Sequence, residues 1–453
     1  MLALAMMLAT PAAQAQDLSI PYETYTLDNG LKVIFSEDHS VPVVQVNVWY
    51  HVGSKDEVDG RTGFAHLFEH LMFQGSENND QDYFGNLQEV GARVNGTTNG
   101  DRTNYFEGVP SAYLPLALWG EADRMGFLVI DQERLDNQKE VVRNERRQRY
   151  ENRPFGTSWV TLQDKLFPVG HPYHHTTIGS HEDLDAATLD DVQGFYDQWY
   201  VPNNAVLVVA GDFDPATAKG LIEQYFGTIP AGETPLPERV VPDTNNFEMT
   251  EEVVVRQEEQ GVPYAQVWMA WPSPAIYESG DAELDLLSSL LTDGKDSRLY
   301  GKLVIEDQIA KSISAYQVSR YLDGMYVIQA VPAEGHTTDE IVAATDALLA
   351  EFMEEGPTET EVSVGKVQYE AQFIYGLSTV SAKADRLNSY NFLAGDPGYL
   401  QNDLQRYLDS TPESVLQAAK DTLASPGRVV LHISPPAEAT ILHFRRLLHR
   451  EAL

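Results

Sequence analysis

Residues 43–73 read VVQVNVWYHVGSKDEVDGRTGFAHLFEHLMF, and the two ends of this stretch set the plan of the whole chain. Val43–Tyr50 predicts a β-strand, and Gly63–Phe73 predicts a helix that follows it. The same order recurs in the second half, where Ala265–Trp271 predicts a strand that is again followed by a helix. Such a recurrence indicates an internal duplication.

The end of each half repeats as well. Thr188–Val192 opens a predicted helix before the strand Ala205–Ala210, and Thr411–Val415 opens one before the strand Arg428–Ile433. Both threonines suit the N-cap position, and Pro412 suits the first helical position. Because each half mixes strands with long helices, we predict an α+β fold. It should consist of two homologous domains of similar topology, each with a β-sheet packed against long helices.

A proline-rich stretch separates the two halves. Four prolines between residues 230 and 242, with few long apolar side chains around them, predict a linker at residues 231–246. The linker divides the chain into an N-terminal domain at residues 17–230 and a C-terminal domain at residues 247–453. Within the latter, Ala437–Leu453 predicts a final amphipathic helix that docks onto the second domain.

The first residues have the features of a targeting signal. Met1–Thr10 is apolar and uncharged, and Ala13-Gln14-Ala15 follows it as a small-x-small cleavage pattern. We therefore predict a signal peptide at residues 1–15, N-terminally incomplete because no Lys or Arg precedes the apolar run; the alternative is a buried strand or helix. The prediction is a secreted protein, periplasmic in a Gram-negative source. No other stretch approaches 18 apolar residues, so stable membrane insertion is not expected.

Composition narrows the possible partners and chemistries. The 453 residues include 31 Lys and Arg against 68 Asp and Glu, so the formal net charge is −37. This charge argues against nucleic acid as a partner, because a polyanion would be repelled. There is no cysteine, which excludes disulfides and thiolate metal sites. A metal ion would have to be held by His, Asp or Glu.

The predicted helix after the first strand contains the pattern H-x-x-E-H, formed by His66, Glu69 and His70. Residues four apart share a helix face, so both imidazoles can point at one ion, with Glu69 on the same side. Hydrolytic zinc sites use three protein ligands and a water, and a nearby carboxylate can accept the water proton. The alternative is that two histidines of an amphipathic helix are ordinary core or surface residues.

A third ligand would have to come from elsewhere in the chain. A predicted helix around residues 131–150 contains Glu140 and Glu145, and Val142 marks its apolar face. Either glutamate could complete the site, and the residue pattern alone does not choose between them. Glu145 could also be a solvated carboxylate paired with an Arg four residues later.

With its surroundings, this pattern resembles the pitrilysin/insulinase family of zinc peptidases, the inverzincins, and specifically the zinc-binding subunit of a bacterial two-subunit type. The resemblance rests on the H-x-x-E-H core and on further matches in the expected order: Val141–Arg147, Val94–Thr97, Thr103–Phe106, His171–Tyr173, Ile178–Gly179 and Tyr200–Ala205. It implies that His66, His70 and Glu145 bind zinc and that Glu69 is the general base. It also implies that Asn95, Gly96 and Thr97 belong to an edge strand to which a peptide substrate adds.

The chain departs from the family at three positions. Many relatives carry a Glu seven residues before the ligand Glu, where this chain has Gln138, whose amide can still form a hydrogen bond beside the site. Active relatives also carry an Arg–Tyr pair facing the zinc, and the matching positions here are Val304 and Lys311. The resemblance therefore implies a heterodimer whose other chain lacks H-x-x-E-H and carries the pair. A shifted alignment would instead use the nearby residues Arg298 and Tyr300, or Arg320 and Tyr321.

The sequence thus predicts a zinc-dependent endopeptidase, with one zinc ion per chain, that hydrolyses oligopeptides in an enclosed chamber. The alternative is a non-catalytic structural or peptide-binding subunit of the same fold. A second histidine group, consisting of His171, His174, His175 and His181, could bind a metal ion adventitiously, but it is expected to lie on a loop between helices. The stretch Leu284–Leu291, at the place of H-x-x-E-H in the second half, predicts no second metal.

Overall fold

The structure is a computed structural model that describes residues 18–79, 83–233 and 249–436. Two β-sheets form within these ranges. The first contains β1 (Glu23–Thr26), β2 (Lys32–Glu37), β3 (Val43–Tyr50), β4 (Arg93–Thr98), β5 (Thr103–Pro110) and β6 (Ala205–Gly211). The second contains β7 (Val253–Glu258), β8 (Gln266–Ser273), β9 (Ala310–Val318), β10 (Gly324–Pro332) and β11 (Val429–Ser434).

Helices surround both sheets. Those of the first half are α1 (Phe64–Leu71), α2 (Tyr83–Gln88), α3 (Leu114–Phe127), α4 (Gln132–Arg146), α5 (Ser158–Leu166), α6 (His181–Ala186), α7 (Leu189–Trp199) and α8 (Pro215–Phe226). Those of the second half are α9 (Asp281–Thr292), α10 (Arg298–Tyr300), α11 (Thr338–Glu355), α12 (Glu359–Tyr375), α13 (Val380–Leu393), α14 (Leu400–Asp409) and α15 (Pro412–Leu423). Wider helical turns continue α4 at Arg147–Glu151 and α10 at Gly301–Glu306.

The two sheets share one topology. Their strand orders are β1-β2-β6-β3-β5-β4 and β7-β11-β8-β10-β9, so the second order matches the first once β1 is removed. The parallel pair also recurs, as β2 with β6 and as β7 with β11, and the remaining pairs are antiparallel. The prediction of an α+β fold with two homologous domains is confirmed.

The predicted helix starts are also present. The Thr188 side chain accepts a hydrogen bond from the Asp191 backbone N–H at the start of α7. The Thr411 side chain likewise accepts one from the Ser414 backbone N–H at the start of α15, where Pro412 is the first helical residue. In each half this capped helix leads into an interior strand of its sheet, β6 in the first and β11 in the second.

Each sheet is covered on one face by helices of its own half and on the other by helices of the opposite half. Helix α13 lies on the first sheet, where Ala384 and Leu387 pack against Val206 and Val208. Helix α5 lies on the second sheet, where its residue Leu162 joins a buried cluster with strand residues. The halves therefore interlock.

Three predicted segments concern residues that are not described. The predicted signal peptide (residues 1–15) and the predicted helix Ala437–Leu453 lie outside the described residues, as does most of the predicted linker (residues 231–246). The domain boundaries drawn from them remain predictions. Within the described part of the chain, no helix combines the length and the apolar character needed to cross a membrane.

Candidate metal centre

Helix α1 presents one apolar and one polar face. Its apolar face consists of buried residues at helical spacing: Phe64, Leu67, Phe68 and Leu71. The helix is anchored at its start by Glu57, whose buried carboxylate accepts hydrogen bonds from the backbone N–H groups of Gly63 and Ala65, each 2.8 Å long. Because the apolar face packs into the core, His66, Glu69 and His70 lie together on the remaining side.

Helix α4 brings a carboxylate to these histidines. The buried residues Leu135, Gln138 and Val142 mark its inward face, and Glu145 continues that face by three residues. The Glu145 Oε2 atom lies 3.2 Å from His70 Nε2 and 3.7 Å from His66 Nε2.

The other candidate third ligand lies elsewhere. Glu140 points into solvent, with 59% of its side chain exposed, and pairs with Arg143 at 2.7 Å. The structure thus places Glu145 at the histidines and keeps Glu140 away from them.

The separations between these atoms fit a bound metal ion. Ligands about 2.0–2.1 Å from a tetrahedral zinc ion lie about 3.3 Å from one another. The three ligand atoms lie within 4.8 Å of one another, and they form the one such group found among the described histidines and carboxylates. His66 Nδ1 is also buried without a hydrogen-bond partner among the described residues.

The electrostatics favour the forms that bind metal ions. Burial, together with the neighbouring His70, lowers the pKa of His66 to about 4, so its imidazole is neutral at neutral pH. The hydrogen bond from His70 holds the pKa of Glu145 below its usual range, although partial burial opposes this. A neutral imidazole and an ionised carboxylate are both metal ligands.

Glu69 lies beside this group but is not a member of it. Its Oε2 accepts a hydrogen bond of 2.5 Å from the Thr98 hydroxyl on β4. Burial raises the pKa of Glu69, and the bond from Thr98 partly offsets the effect. A carboxylate that is held next to the ligand group without joining it is free to exchange protons with water.

Strand β4 runs along the edge of the site. Among the described residues it is the last strand of its sheet and pairs with β5 alone, so its outer edge is available for a further strand. A Cβ atom at Gly96 would lie 3.1 Å from the Phe73 ring and 3.2 Å from Glu69 Cγ, so the absence of a side chain lets strand and helix approach closely.

One cavity of about 510 Å³ connects these parts. Its lining comprises His66, Glu69, His70, Phe73, Gln74, Asn95, Gly96, Thr97, Thr98, Gln138, Glu145 and Arg149. Every site residue predicted from the sequence therefore faces one space. Gln138 is buried there, and its supporting role stays a prediction.

Sequence reasoning missed Thr98, and it identified Arg149 only as an ion-pair partner, not as a residue that lines the site. Strand alternation could have indicated Thr98, because it shares a face with Gly96. Arg149 is the residue four positions after Glu145, and its Nη1 lies 2.8 Å from Glu145 Oε1. Glu145 thus forms the expected helix ion pair and also faces the histidines.

The second histidine group does not converge. Its members pair with different carboxylates along a loop and the following helix start: His171 with Asp323, His174 with Asp164, His175 with Glu57, and His181 with Glu151. In the second half, α9 stands at the topological position of α1 and buries Leu284, Leu286, Leu287, Leu290 and Leu291.

Two family profiles match the chain. The profile described as Insulinase (Peptidase family M16) matches residues 32–158, and the profile described as Peptidase M16 inactive domain matches residues 186–369. Among curated proteins, the zinc protease PqqE of Helicobacter pylori is 29% identical over 401 residues, which is 87% of each chain.

Solved structures show the same similarity. A protease from Helicobacter pylori superposes with a TM-score of 0.84 at 27% identity and covers 92% of this chain and 100% of that one. The periplasmic protease PqqL from Escherichia coli superposes with a TM-score of 0.77 at 18% identity, which shows a shared fold. That match covers 93% of this chain but 49% of PqqL.

Proposed function

Because this chain belongs to the insulinase (M16) family of peptidases, we propose that it is a zinc-dependent endopeptidase that hydrolyses oligopeptides. The observation that carries the proposal is the convergence of His66 Nε2, His70 Nε2 and Glu145 Oε2 in a cavity that also contains Glu69. In this proposal His66, His70 and Glu145 hold one zinc ion per chain. The similar proteins that are named zinc proteases support this metal.

In the proposed reaction, the metal ligands, Glu69 and strand β4 have separate roles. Zinc bound at this site would supply a Lewis acid for the scissile carbonyl and lower the pKa of an attacking water. Glu69, oriented by Thr98, accepts the proton of that water and then passes it to the leaving amine. The backbone of Asn95–Thr97 offers its free edge to an extended peptide, which would add to the sheet as a further strand.

We further propose that the chain works as the zinc-bearing subunit of a heterodimer. Active relatives carry an Arg–Tyr pair at two positions where this chain has Val304 and Lys311. Val304 packs against the apolar core of the second half, and Lys311 lies on β9. PqqL contains about twice the length of this chain, so a second chain of the same fold would supply the missing half.

The contacts of the nearby arginines support a partner chain as the source of the pair. The Arg298 Nε atom bonds to Glu361 at 2.6 Å, and the Arg320 guanidinium lies 4.3 Å from the centre of the Tyr173 ring. Arg298 thus contacts a residue of its own half, and Arg320 contacts a residue of the first half.

Secretion is part of the same proposal. The uncharged run Met1–Thr10 followed by Ala13-Gln14-Ala15 supports export, and a neighbour of the same fold is a periplasmic protease. The periplasm is therefore the proposed location if the source is a Gram-negative bacterium.

Substitution of Glu69 tests the chemistry. Glu69→Gln should abolish cleavage of a quenched fluorescent peptide while zinc remains bound, because Glu69 is not a ligand. His66→Ala and Glu145→Ala should lose zinc together with activity, and Glu140→Ala is the matched control on the same helix. Near-normal turnover by Glu69→Gln would contradict the mechanism, and full zinc in Glu145→Ala would contradict the ligand set.

The assembly needs its own experiment. Peptide turnover by the purified chain should be low, and a second family member that lacks H-x-x-E-H and carries the Arg–Tyr pair should restore it. Full activity of the chain as a monomer or homodimer would contradict the heterodimer. Zinc binding with no turnover in either arrangement would instead favour a non-catalytic subunit.

A further inference from the structure

Arg149 occupies an unusual place beside the candidate metal centre. It lies on the wide helical turn Arg147–Glu151 that directly follows α4, and its side chain lines the same cavity as Glu69 and Thr97. Although Arg149 Nη1 lies 2.8 Å from Glu145 Oε1, 71% of the Arg149 side chain remains exposed. Most of the guanidinium is therefore accessible to a molecule in the cavity.

The other arginines of this segment are directed elsewhere. Arg143 pairs with Glu140 and Asp185, Arg146 bonds to the Gly179 carbonyl and to Glu151, and Arg147 bonds to Asn144. Among the described residues that line the cavity, Arg149 is the cation. Arg149 thus lines the cavity, whereas Arg143, Arg146 and Arg147 do not.

The charges that line the cavity favour an anionic ligand. With one divalent ion bound, its charge would be balanced by the two carboxylates that line the cavity, Glu69 and Glu145, and the positive charge of Arg149 would be in excess. A guanidinium has five N–H donors, and the contact with Glu145 uses one side of it. With the ion bound, the cavity would therefore carry a positive net charge, although the whole chain carries a net charge of −37.

We propose that Arg149 binds a carboxylate of the peptide substrate close to the cleaved bond and so selects acidic peptides over neutral ones of the same shape. This inference rests on the proposed function and adds a substrate class to it. The planar fork of an arginine matches the two oxygens of a carboxylate, whether an Asp or Glu side chain or a peptide C-terminus supplies them.

Peptide binding to the zinc-loaded Glu69→Gln chain measures this selection without cleavage. Two flexible fluorescent peptides, amidated at the C-terminus, differ only by Glu or Gln at their central positions. By fluorescence anisotropy at low salt, the Glu peptide should bind about fivefold more tightly, as expected for a partly exposed ion pair. In the same background, Arg149→Gln should make the Glu and Gln peptides bind equally tightly. Arg149→Glu should instead favour a matched peptide with Lys at the same central positions.

Controls separate selection from other effects. Arg147→Gln, in the same background, removes a neighbouring charge outside the cavity and should keep the ratio. A third peptide with Gln and a free C-terminus tests the second source of carboxylate, and its binding should fall with Arg149→Gln if the C-terminus is the group that binds. Zinc per chain is measured for every variant.

Three results would overturn the inference: equal binding of the Glu and Gln peptides by the Glu69→Gln chain, an unchanged ratio in Arg149→Gln, or equal loss of all peptides together with zinc, which would show that Arg149 only orients Glu145. Binding without charge dependence would leave the proposed peptidase function intact. Failure of the wild-type chain, with its proposed partner present, both to bind and to cleave any peptide would contradict that function as well.

Discussion

Replacing Gly96 by alanine tests whether the close approach of β4 to α1 sets the position of the proposed general base. A Cβ atom there would lie 3.1 Å from two atoms of the Phe73 ring and 3.2 Å from Glu69 Cγ. Since carbon atoms pack best at about 3.5–4.0 Å, the neighbours would have to move by about 0.5 Å.

The Phe73 ring has little room to move. It packs edge-on against Tyr83 and Tyr105, with ring centroids 5.9 and 5.6 Å apart, and the Arg124 guanidinium lies 5.2 Å from it. The displacement therefore falls largely on Glu69 and on its bond from Thr98. Since a shift of about 1 Å can cost about a hundredfold in rate, we expect kcat/KM to fall about tenfold. Overpacking should also lower the free energy of unfolding by about 1–3 kcal/mol.

The assay is cleavage of a quenched peptide, with zinc content and urea unfolding measured in parallel. Zinc should stay bound, because the new Cβ contacts none of the three ligand residues. Gly85→Ala is the matched control: Gly85 lies on α2, and a Cβ there meets nothing within 4 Å. Wild-type turnover by Gly96→Ala, or loss of zinc along with activity, would refute the reasoning.

Three further predictions concern the anchor of α1, a buried acid and the metal. Glu57→Ala leaves the N–H groups of Gly63 and Ala65 without their acceptor, so urea unfolding should show a loss of about 2–4 kcal/mol, with Glu57→Gln in between; an unchanged stability would contradict the anchor. Burial raises the pKa of the Asp285 carboxyl from 3.8 to about 7. Between these two values the folded state keeps a proton that the unfolded state releases. The contribution of this group to the free energy of unfolding is therefore highest below about pH 4 and falls as the pH rises to about 7. The stability of Asp285→Asn relative to the parent should therefore increase by about 2 kcal/mol from pH 5 to pH 8, and a difference independent of pH would contradict the shift. Zinc at about a hundredfold its Kd should stabilise the folded chain by about 2.7 kcal/mol and raise its Tm. The Tm of His66→Ala should not rise. A wild-type Tm that does not change when zinc is added would argue against the site.

Local patterns were enough to predict much of this molecule. A helix places residues three and four apart on one face whatever surrounds it, so the spacing of His66, Glu69 and His70 already predicted a shared face. The caps at Thr188 and Thr411 depend on neighbouring backbone groups only, and both occur as predicted. The repeated order of strands and helices likewise predicted two related sheets.

Other features depend on how distant segments pack. Glu140 and Glu145 lie on one helix, and the residues alone left both open as ligands. The docking of α4 through Leu135 and Val142 turns Glu145 toward α1 and leaves Glu140 in solvent. For the same reason the bond from Thr98 to Glu69 could not be predicted, because it depends on the approach of β4 to α1.

The interlocking of the two halves was decided by tertiary structure as well. The apolar side chains of α5 and α13 indicate that each helix packs on something, but a helix buries such a stripe equally well on any apolar sheet. The structure places α5 on the second sheet and α13 on the first. The sequence by itself determined the local elements and the face that carries the H-x-x-E-H residues. Which carboxylate, strand edge and arginine meet that face was settled by contacts between residues far apart in the chain, which no local pattern encodes.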